Sequence, residues 1–288
     1  MTRVVYVNGR YLPYADANVH VEDRGFQFAD SVYEVIEIAA GGTVDATRHL
    51  DRLQRSLSEL SIQEPMSRSA LCNVLAQVIR RNRVTDGLVY MQVSRGTAPR
   101  DFPFTGKSLT PTLVCLARSL SVSARDARAS RGIRVVTMPD IRWARCDIKT
   151  VMLLPAILAK EKALSAGADE AWLIDGQGFV TEGASSNAWI VNADDNLQTR
   201  DLSNALLPGV TRATTVDMAA ATGRRIVFEP FSIEQAMAAR EAFTTSASGT
   251  IMPVVAIDGK PIGSGRPGPV ATSLRRTFHN FAERRSAC

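Results

Sequence analysis

The apolar residues of this chain switch repeatedly between the period of a β-strand and the period of an α-helix. This mixture constrains the fold more than any other feature. An Asn8-Gly9 pair between two β-prone runs predicts a hairpin over residues 4–12. Leucines at positions 50, 53, 57 and 60 recur at helical spacing and predict an amphipathic helix near 49–62. The sequence therefore predicts a mixed α/β class of α+β type.

A small, polar and charged segment at 119–131 separates two sets of predicted elements and indicates a linker. Before it, strands are expected at 31–39, 88–94 and 112–117, and a second helix after an N-cap at Ser67. After it, strands are expected at 133–137, 171–174, 179–181 and 188–191, and helices at 156–166, after Pro208-Gly209, and at 274–284. We therefore predict a smaller N-terminal α+β domain over 1–118 and a larger C-terminal domain over 132–288, with a cleft between them.

The 288 residues carry a net charge of +5, but acidic side chains are interleaved with the arginines, as in Glu22-Asp23-Arg24. The sequence shows no basic block, so nucleic-acid binding is not expected. No apolar run approaches the ~20 residues of a membrane span. Three scattered histidines and four cysteines without pair spacing predict neither a metal site nor a disulfide framework. We expect a cytoplasmic protein.

Lysine is rare in this chain, where it supplies five of the 34 basic residues. One of the five, Lys149, stands just before the apolar run Val151-Met152-Leu153-Leu154. An amine among apolar neighbours loses solvation for its charged form, so the uncharged amine becomes accessible. A neutral primary amine can form a Schiff base with a carbonyl, whereas a guanidinium cannot. Lys149 is therefore a candidate nucleophile, although a solvated lysine at a strand end is the commoner situation.

Three further stretches are rich in small and hydroxyl residues and could face a ligand. Glu182 lies in the first, at 181–189, between two predicted strands. In the second, Pro208-Gly209 precedes a helix whose first N–H groups and Thr211 hydroxyl could hold a phosphate. The third, at 244–250, is a hydroxyl-rich turn. Taken singly, a solvated turn carboxylate, helix capping and a plain loop would each be a sufficient explanation.

Taken together and in this order, the motifs resemble the fold-type IV pyridoxal-phosphate enzymes, the group of branched-chain and D-amino acid aminotransferases. The resemblance implies pyridoxal 5'-phosphate in the cleft, with Lys149 forming the Schiff base and moving the proton, and Glu182 pairing with the pyridinium nitrogen. It also implies that Arg52 binds the phosphate, although Arg52 could instead be solvated on the polar face of its helix. The other implied cofactor-binding residues are Ser186, Asn187, Leu207, Gly209, Val210, Thr211, Ala247 and Ser248. Trp189 departs from the family pattern, which has phenylalanine or tyrosine there.

Two N-terminal motifs resemble the D-amino acid transaminases within this group. The first, at 22–34, implies that Tyr33 projects into the site. The second is the RGxxPR motif at 95–100, which in that group forms a loop reaching over from the partner subunit. The resemblance thus implies a homodimer in which Arg100 clamps the substrate α-carboxylate, a role that suits a guanidinium fork. Phe102 replaces the usual histidine and cannot donate a hydrogen bond, so the carboxylate trap should rest on Arg100 and Tyr33.

Three kinds of function stay open at this point. The leading prediction is a D-amino acid:2-oxo acid transaminase of the D-alanine or D-glutamate type, acting through ping-pong half-reactions. A related enzyme could share the cofactor site: an (R)-amine transaminase, a branched-chain-amino-acid transaminase, or an aminodeoxychorismate-lyase-like enzyme. A non-catalytic binding protein is the alternative from another class, and it would not need Lys149.

Overall fold

The computed structural model of the chain describes residues 3–104 and 109–285. Within these residues, strands and helices are mixed along the chain, as the sequence predicts. The strands are β1 (Val4–Val7), β2 (Arg10–Pro13), β3 (Ser31–Ala39), β4 (Gly42–Val44), β5 (Gly87–Ser94), β6 (Thr112–Ser119), β7 (Ile133–Pro139), β8 (Glu170–Ile174), β9 (Val180–Gly183), β10 (Asn187–Val191), β11 (Leu197–Thr199), β12 (Ile226–Phe228), β13 (Glu241–Ser246), β14 (Thr250–Ile257), β15 (Lys260–Pro261) and β16 (Arg284–Arg285). The helices are α1 (Arg24–Phe28), α2 (Ala46–Glu59), α3 (Arg68–Arg81), α4 (Val122–Arg131), α5 (Leu154–Ser165), α6 (Val210–Ala221), α7 (Ile233–Ala238) and α8 (Pro269–Phe281), and a 3₁₀ turn covers Tyr14–Asp16.

The chain groups into two compact units. The first unit holds the chain up to Ser121, the segment Ile148–Met152 and the chain from Glu283 onward, and the second holds Val122–Asp147 and Leu153–Ala282. The grouping thus departs from the predicted ranges, because the segment that contains Lys149 belongs to the first unit. An isolated antiparallel bridge joins Thr150 to Val32 on β3, and this pairing attaches the segment to the first sheet.

The first unit is built on a seven-stranded antiparallel sheet in the order β16-β4-β3-β5-β6-β1-β2. The predicted hairpin is confirmed as β1–β2. Its turn residues Asn8 and Gly9 have φ angles of 44° and 89°, the positive values that a tight two-residue hairpin turn requires. Helix α2 packs on β3, and α3 packs on β1, β5 and β6.

The second unit is built on a nine-stranded mixed sheet in the order β12-β11-β10-β13-β14-β7-β8-β9, with β15 paired to β14. Strand β7 runs parallel to both β14 and β8. Trp172 and Phe231 are fully buried in its core, where their rings meet edge to face at 5.8 Å between centroids. The β10–β13 register aligns Asn187 with Thr245, so two of the stretches expected to face a ligand lie side by side.

Most predicted elements are confirmed to within a few residues. Strand 31–39 has its predicted bounds as β3, and Ser67 caps α3 by accepting a hydrogen bond from the Ala70 N–H (3.3 Å). Helix α5 starts at Leu154 rather than after Pro155, because proline is tolerated within the first helical turn. The segment 119–131, expected to be a linker, contains the helix α4.

The last helix differs from its predicted range of 274–284 at both ends. It begins at Pro269 because the buried carboxylate of Glu241, on β13, accepts hydrogen bonds from the Val270 and Ala271 N–H groups (both 2.9 Å). It ends at Phe281, and the Glu283 N–H then donates to Asp45 Oδ1 (2.9 Å). Both partners lie far away along the chain, so helical periodicity could not locate these ends.

Trp189, the departure from the family pattern, is fully buried between aromatic and polar neighbours. Its ring stacks on Phe243 at 5.5 Å between centroids, and its Nε1–H donates to Thr245 Oγ1 (3.1 Å).

Trp189→Phe removes this hydrogen bond and leaves a cavity, so it should lower the free energy of unfolding by about 1–3 kcal/mol in denaturant titration. The loss should be smaller in a Thr245→Val background, where no acceptor is left unpaired. An unchanged free energy of unfolding in Trp189→Phe would contradict this account.

Candidate active site

Lys149 is fixed by backbone hydrogen bonds within the first unit. Its N–H donates to Ser56 Oγ on α2 (3.3 Å), and its carbonyl accepts from the Tyr33 N–H on β3 (3.0 Å). The Lys149 amine lies 4.2 Å from the centroid of the Tyr33 ring, within cation–π distance. On β5, Tyr90 stacks on Tyr33 with 5.7 Å between centroids. The structure therefore brings together two of the predicted site residues, Lys149 and Tyr33.

Arg52 lies on α2, one turn before Ser56, and is buried, so the alternative of a solvated arginine is wrong. Its Nε and Nη2 donate to Oε1 and Oε2 of Glu34 on β3 (2.7 and 2.9 Å). His49, one turn earlier on α2, places Nδ1 at 2.7 Å from Glu34 Oε2. Sequence reasoning missed Glu34 and His49. The available signal was the spacing of His49 and Arg52, which puts both on one face of the helix.

These three side chains form a buried charge cluster. Burial would raise the pKa of Glu34, but Arg52 and His49 outweigh it and hold this pKa well below the usual range. Burial lowers the pKa of His49, Glu34 opposes this effect, and the cations Arg52 and Lys149 lower the pKa further. Because Arg52 already neutralises Glu34, a proton on His49 would add an uncompensated charge. Glu34 is therefore a carboxylate and His49 a neutral ring at neutral pH.

In the second unit, the carboxylate of Glu182 on β9 is buried and held by several donors. Arg142 Nη1 donates to Oε1, while Asn187 Nδ2 (2.9 Å) and the Leu207 N–H (3.2 Å) donate to Oε2. Although burial lowers the pKa of Arg142, its hydrogen bonds to Asp140 and the charge of Glu182 raise it above the ordinary value. Glu182 thus faces a permanent cation. Sequence reasoning missed Arg142, although it lies in the same short stretch as Lys149.

The N-terminus of α6 lies next to this carboxylate cluster. Gly209 is the N-cap, and Val210 and Thr211 form the first turn, with Thr211 buried. A Cβ on Gly209 would lie 2.0 Å from Asn187 Oδ1, so only glycine fits between the helix start and Asn187. Asn187 also donates to the Leu207 carbonyl (2.9 Å). The amide group of Asn187 therefore links the carboxylate of Glu182 to Leu207, just before the start of α6.

The turn between β13 and β14 lies beside Asn187, because Thr245 is its partner in the sheet. Within the turn, the Gly249 N–H donates to Ser246 Oγ (3.1 Å), and Ser248 is exposed. Ala247 is half-buried, so the turn presents a small side chain and a hydroxyl side by side.

Ser186 contacts an acidic neighbour in this structure. Its hydroxyl lies 3.5 Å from Glu170 Oε2, an oxygen that also accepts a hydrogen bond from Ser185 (2.8 Å). Lys160 completes this group, since its amine lies 3.2 Å from Glu170 Oε1. The lysine at 160 is thus an ion-pair partner of Glu170, a different environment from that of Lys149.

The RGxxPR loop is anchored at its base by buried charges of the first unit. Arg24 donates to the carbonyls of Asp101 (2.7 Å) and Phe102 (3.2 Å), and its Nε donates to Asp30 (2.8 Å). Arg100 is exposed, with its guanidinium 5.3 Å from the Phe28 ring centroid.

Phe102 is 78% exposed and contacts Phe28 at 5.7 Å between centroids. Phe104 instead packs against Arg95, whose guanidinium lies 3.7 Å from its ring centroid. Phe102 therefore remains available to a binding partner or a substrate.

Known proteins of one family resemble this chain along most of its length. The family model of class IV amino-transferases matches residues 31–257. The chain is 35% identical over 287 residues to the D-alanine aminotransferase of Staphylococcus haemolyticus, covering 100% of both chains. It is also 35% identical over 276 residues to the D-alanine aminotransferase of Bacillus licheniformis, covering 96% of both chains.

Solved structures show the same fold. A branched-chain amino acid aminotransferase of Escherichia coli superposes with a TM-score of 0.88 at 24% identity, over 97% of this chain and 94% of that one. The branched-chain amino acid aminotransferase of T.th., in its structure with pyridoxamine 5'-phosphate, gives a TM-score of 0.88 at 26% identity, with the same coverage. The fold-type IV architecture is confirmed.

The chain belongs to the class IV aminotransferases. The prediction of a pyridoxal-phosphate-dependent aminotransferase is thereby confirmed. No helix within residues 3–104 and 109–285 is long and apolar enough to cross a membrane.

The predicted site residues carry groups that fit pyridoxal 5'-phosphate chemically. The cofactor carries an aldehyde, a ring nitrogen and a phosphate. Lys149 offers a primary amine, and Glu182 offers a buried carboxylate whose charge Arg142 maintains. The helix start at Gly209 and the hydroxyl of Ser248 are the kinds of group that bind a phosphate.

The Glu34–His49 pair makes a prediction about pH. Both groups bind protons less readily in the folded protein than in the unfolded chain, so the free energy of unfolding should fall as pH decreases. The free energy of unfolding should start to fall near pH ~6.5, where histidine in the unfolded chain takes up a proton. It should fall further below pH ~4.3, where glutamate in the unfolded chain takes up a proton. His49→Gln should remove the upper part of this dependence when Tm is followed from about pH 8 to about pH 4. The exposed residue in His20→Gln serves as control, and equal slopes in wild type and His49→Gln would contradict the prediction.

Proposed function

We propose that this chain is a D-amino acid:2-oxo acid transaminase of the D-alanine or D-glutamate type, acting as a homodimer in the cytoplasm. The observation that carries the proposal is the loop at 95–100, which ends in an exposed arginine while buried Arg24 holds the residues that follow it. The two full-length relatives that are D-alanine aminotransferases support the same substrate class. The reaction proceeds by ping-pong half-reactions, in which an amino group passes from one substrate to the next.

The cofactor, when bound, supplies the carbonyl that takes up the amino group and the ring that withdraws electrons. Lys149 would hold the cofactor through its amine, and the same Nζ would move a proton at the substrate Cα. Glu182 would accept a hydrogen bond from the protonated ring nitrogen, and Arg142 and Asn187 donate to its carboxylate and so keep it charged and oriented. A neutral acceptor at this position would leave the ring nitrogen unprotonated and weaken its electron withdrawal.

The phosphate is assigned to Arg52 and to a second set of groups rich in N–H and hydroxyl donors. Arg52 provides a guanidinium whose orientation is set by Glu34. The remaining proposed cofactor-binding residues are Ser186, Asn187, Leu207, Gly209, Val210, Thr211, Ala247 and Ser248. Most of them lie at the start of α6 or in the β13–β14 turn, where N–H and hydroxyl groups are concentrated.

The substrate carboxylate is assigned to Arg100 and Tyr33. Arg100 supplies two parallel N–H donors, which match the two oxygens of a carboxylate. Phe102 is exposed and cannot donate a hydrogen bond, whereas the D-amino acid transaminases usually have a histidine, which can donate, at this position. This observation favours a second activity on (R)-amines, which present no carboxylate. The solved structures of branched-chain aminotransferases show the same fold. Their likeness to this chain does not argue for a branched-chain substrate over a D-amino acid.

The activity is tested by a half-reaction on the holoenzyme. D-alanine should shift the visible absorbance band of the bound cofactor, and L-alanine should not.

Lys149→Ala should lower kcat by about 10³-fold, within the range for a positioned acid–base group, while the exposed-lysine control Lys260→Ala keeps full activity. Borohydride reduction should attach the cofactor to Lys149 in the wild type. Normal turnover in Lys149→Ala, or attachment at Lys160, would refute the assignment.

The carboxylate clamp makes a separate prediction about KM. Arg100→Ala should raise KM for D-alanine about 10- to 100-fold, the loss of ~1.5–3 kcal/mol of charged hydrogen bonding, and leave KM for an (R)-amine unchanged. Phe102→His should lower KM for D-alanine by restoring a donor beside Arg100. Arg10→Ala, at an exposed arginine on β2, is the control. Equal losses on both substrates in Arg100→Ala would show that the clamp does not act on the carboxylate.

A further inference from the structure

Arg275 on α8 holds the turn between β13 and β14. Its Nη1 lies within hydrogen-bond distance of the Gly249 carbonyl (2.7 Å), Thr250 Oγ1 (2.7 Å) and the Ile251 carbonyl (2.9 Å). Its Nη2 donates to Asp126 Oδ1 on α4 (2.8 Å). One guanidinium therefore engages three consecutive residues where the turn enters β14.

The conformation of the turn explains why such a clamp is needed. Thr250 has a φ of 55°, a left-handed conformation that is unfavourable for a β-branched residue, and it is buried. Backbone strain of this kind persists only where the surrounding structure imposes it. Arg275 provides that constraint, because it contacts the Thr250 hydroxyl and the carbonyls on both sides of it.

The ion pair between Arg275 and Asp126 on α4 contributes little to the stability of this contact. The Asp126 side chain is 60% exposed, and ion pairs in contact with water contribute little to stability. The three acceptors on the turn are partly buried together with Arg275, so removing the guanidinium would remove three partly buried hydrogen bonds and leave only the bond from the Thr250 hydroxyl to the Gly249 carbonyl within this group.

The clamped turn is the one assigned to the cofactor phosphate through Ala247 and Ser248, and the inference rests on that part of the proposed function. Because Thr245 pairs with Asn187, the turn also lies beside the residue that fixes the start of α6. We propose that Arg275 is a positioning residue for phosphate binding. By holding the turn, it orients the N–H and hydroxyl groups of the turn before the phosphate arrives.

The inference is tested by comparing pyridoxal 5'-phosphate with pyridoxal, which lacks the phosphate. Apoenzyme is prepared from the wild-type, Arg275→Ala, Arg275→Lys and Arg276→Ala holoenzymes, and the Kd of each ligand is measured. Arg275→Ala should raise the Kd for the phosphorylated ligand about tenfold, as the loss of charged hydrogen bonds allows, and leave that for pyridoxal within about twofold. Arg275→Lys keeps a charge and part of the contact, so its effect should be intermediate. Arg276 is the exposed neighbour on α8, and Arg276→Ala should match the wild type.

Two results would overturn the inference. One is an unchanged Kd for pyridoxal 5'-phosphate in Arg275→Ala, and the other is an equal rise for both ligands, which indicates a general loss of structure. If the alanine variant does not fold, Arg275→Lys is judged by the same criterion. Equal affinity of the wild type for the two ligands would overturn the phosphate assignment together with this inference. The response to D-alanine tests the proposed transamination independently of either outcome.

Discussion

Glu34 and Glu182 lie where water cannot solvate them, and each stays charged because protein donors replace the water. Arg52 and His49 surround the first carboxylate, and Arg142 approaches the second. Removing one partner from such a cluster leaves an uncompensated buried charge, so these contacts constrain the structure more than a surface ion pair does. The Glu34 cluster fixes α2 to β3 and thereby the surroundings of Lys149. The Glu182 cluster fixes β9 to the chain just before Lys149 and to the start of α6.

In the second unit, uncharged hydrogen-bonding groups continue the network that begins at the Glu182 carboxylate. Asn187 joins Glu182 to the residue before α6, and its pairing with Thr245 places the β13–β14 turn alongside. Arg275 then holds the turn from α8. A phosphate gains most from N–H and hydroxyl groups that are already oriented, because no reorganisation free energy is spent on binding. The hydrogen bonds that orient the proposed phosphate-binding groups therefore bear on affinity together with those groups.

Local pattern predicted the elements of the fold well wherever adjacent residues determine them. The Asn8-Gly9 turn and the N-cap at Ser67 depend on their own backbone angles and side chains, and both are confirmed. The start of α8 was placed five residues too late, because its first N–H groups are capped by Glu241, a partner about thirty positions away. The linker expected at 119–131 contains a helix, one residue of which pairs with Arg275. Periodicity carries no information about partners at such distances.

The sequence by itself determined the family and the cofactor, because motifs that combine an amine, a carboxylate and a glycine-led helix start are recognisable from residue type and order. The individual site residues stay predictions. Tertiary structure alone decided which side chains hold those residues in place. Lys149 stands between Asp147 and Leu153 in the chain, which belong to the second unit, yet its backbone pairs with Tyr33 in the first. From the sequence, Arg52 could equally lie on the solvated face of its helix. In the structure it is buried, because Glu34 lies opposite it on β3. Burial and pairing arise between residues far apart in the chain, and only the folded arrangement of β-strands and helices brings them together.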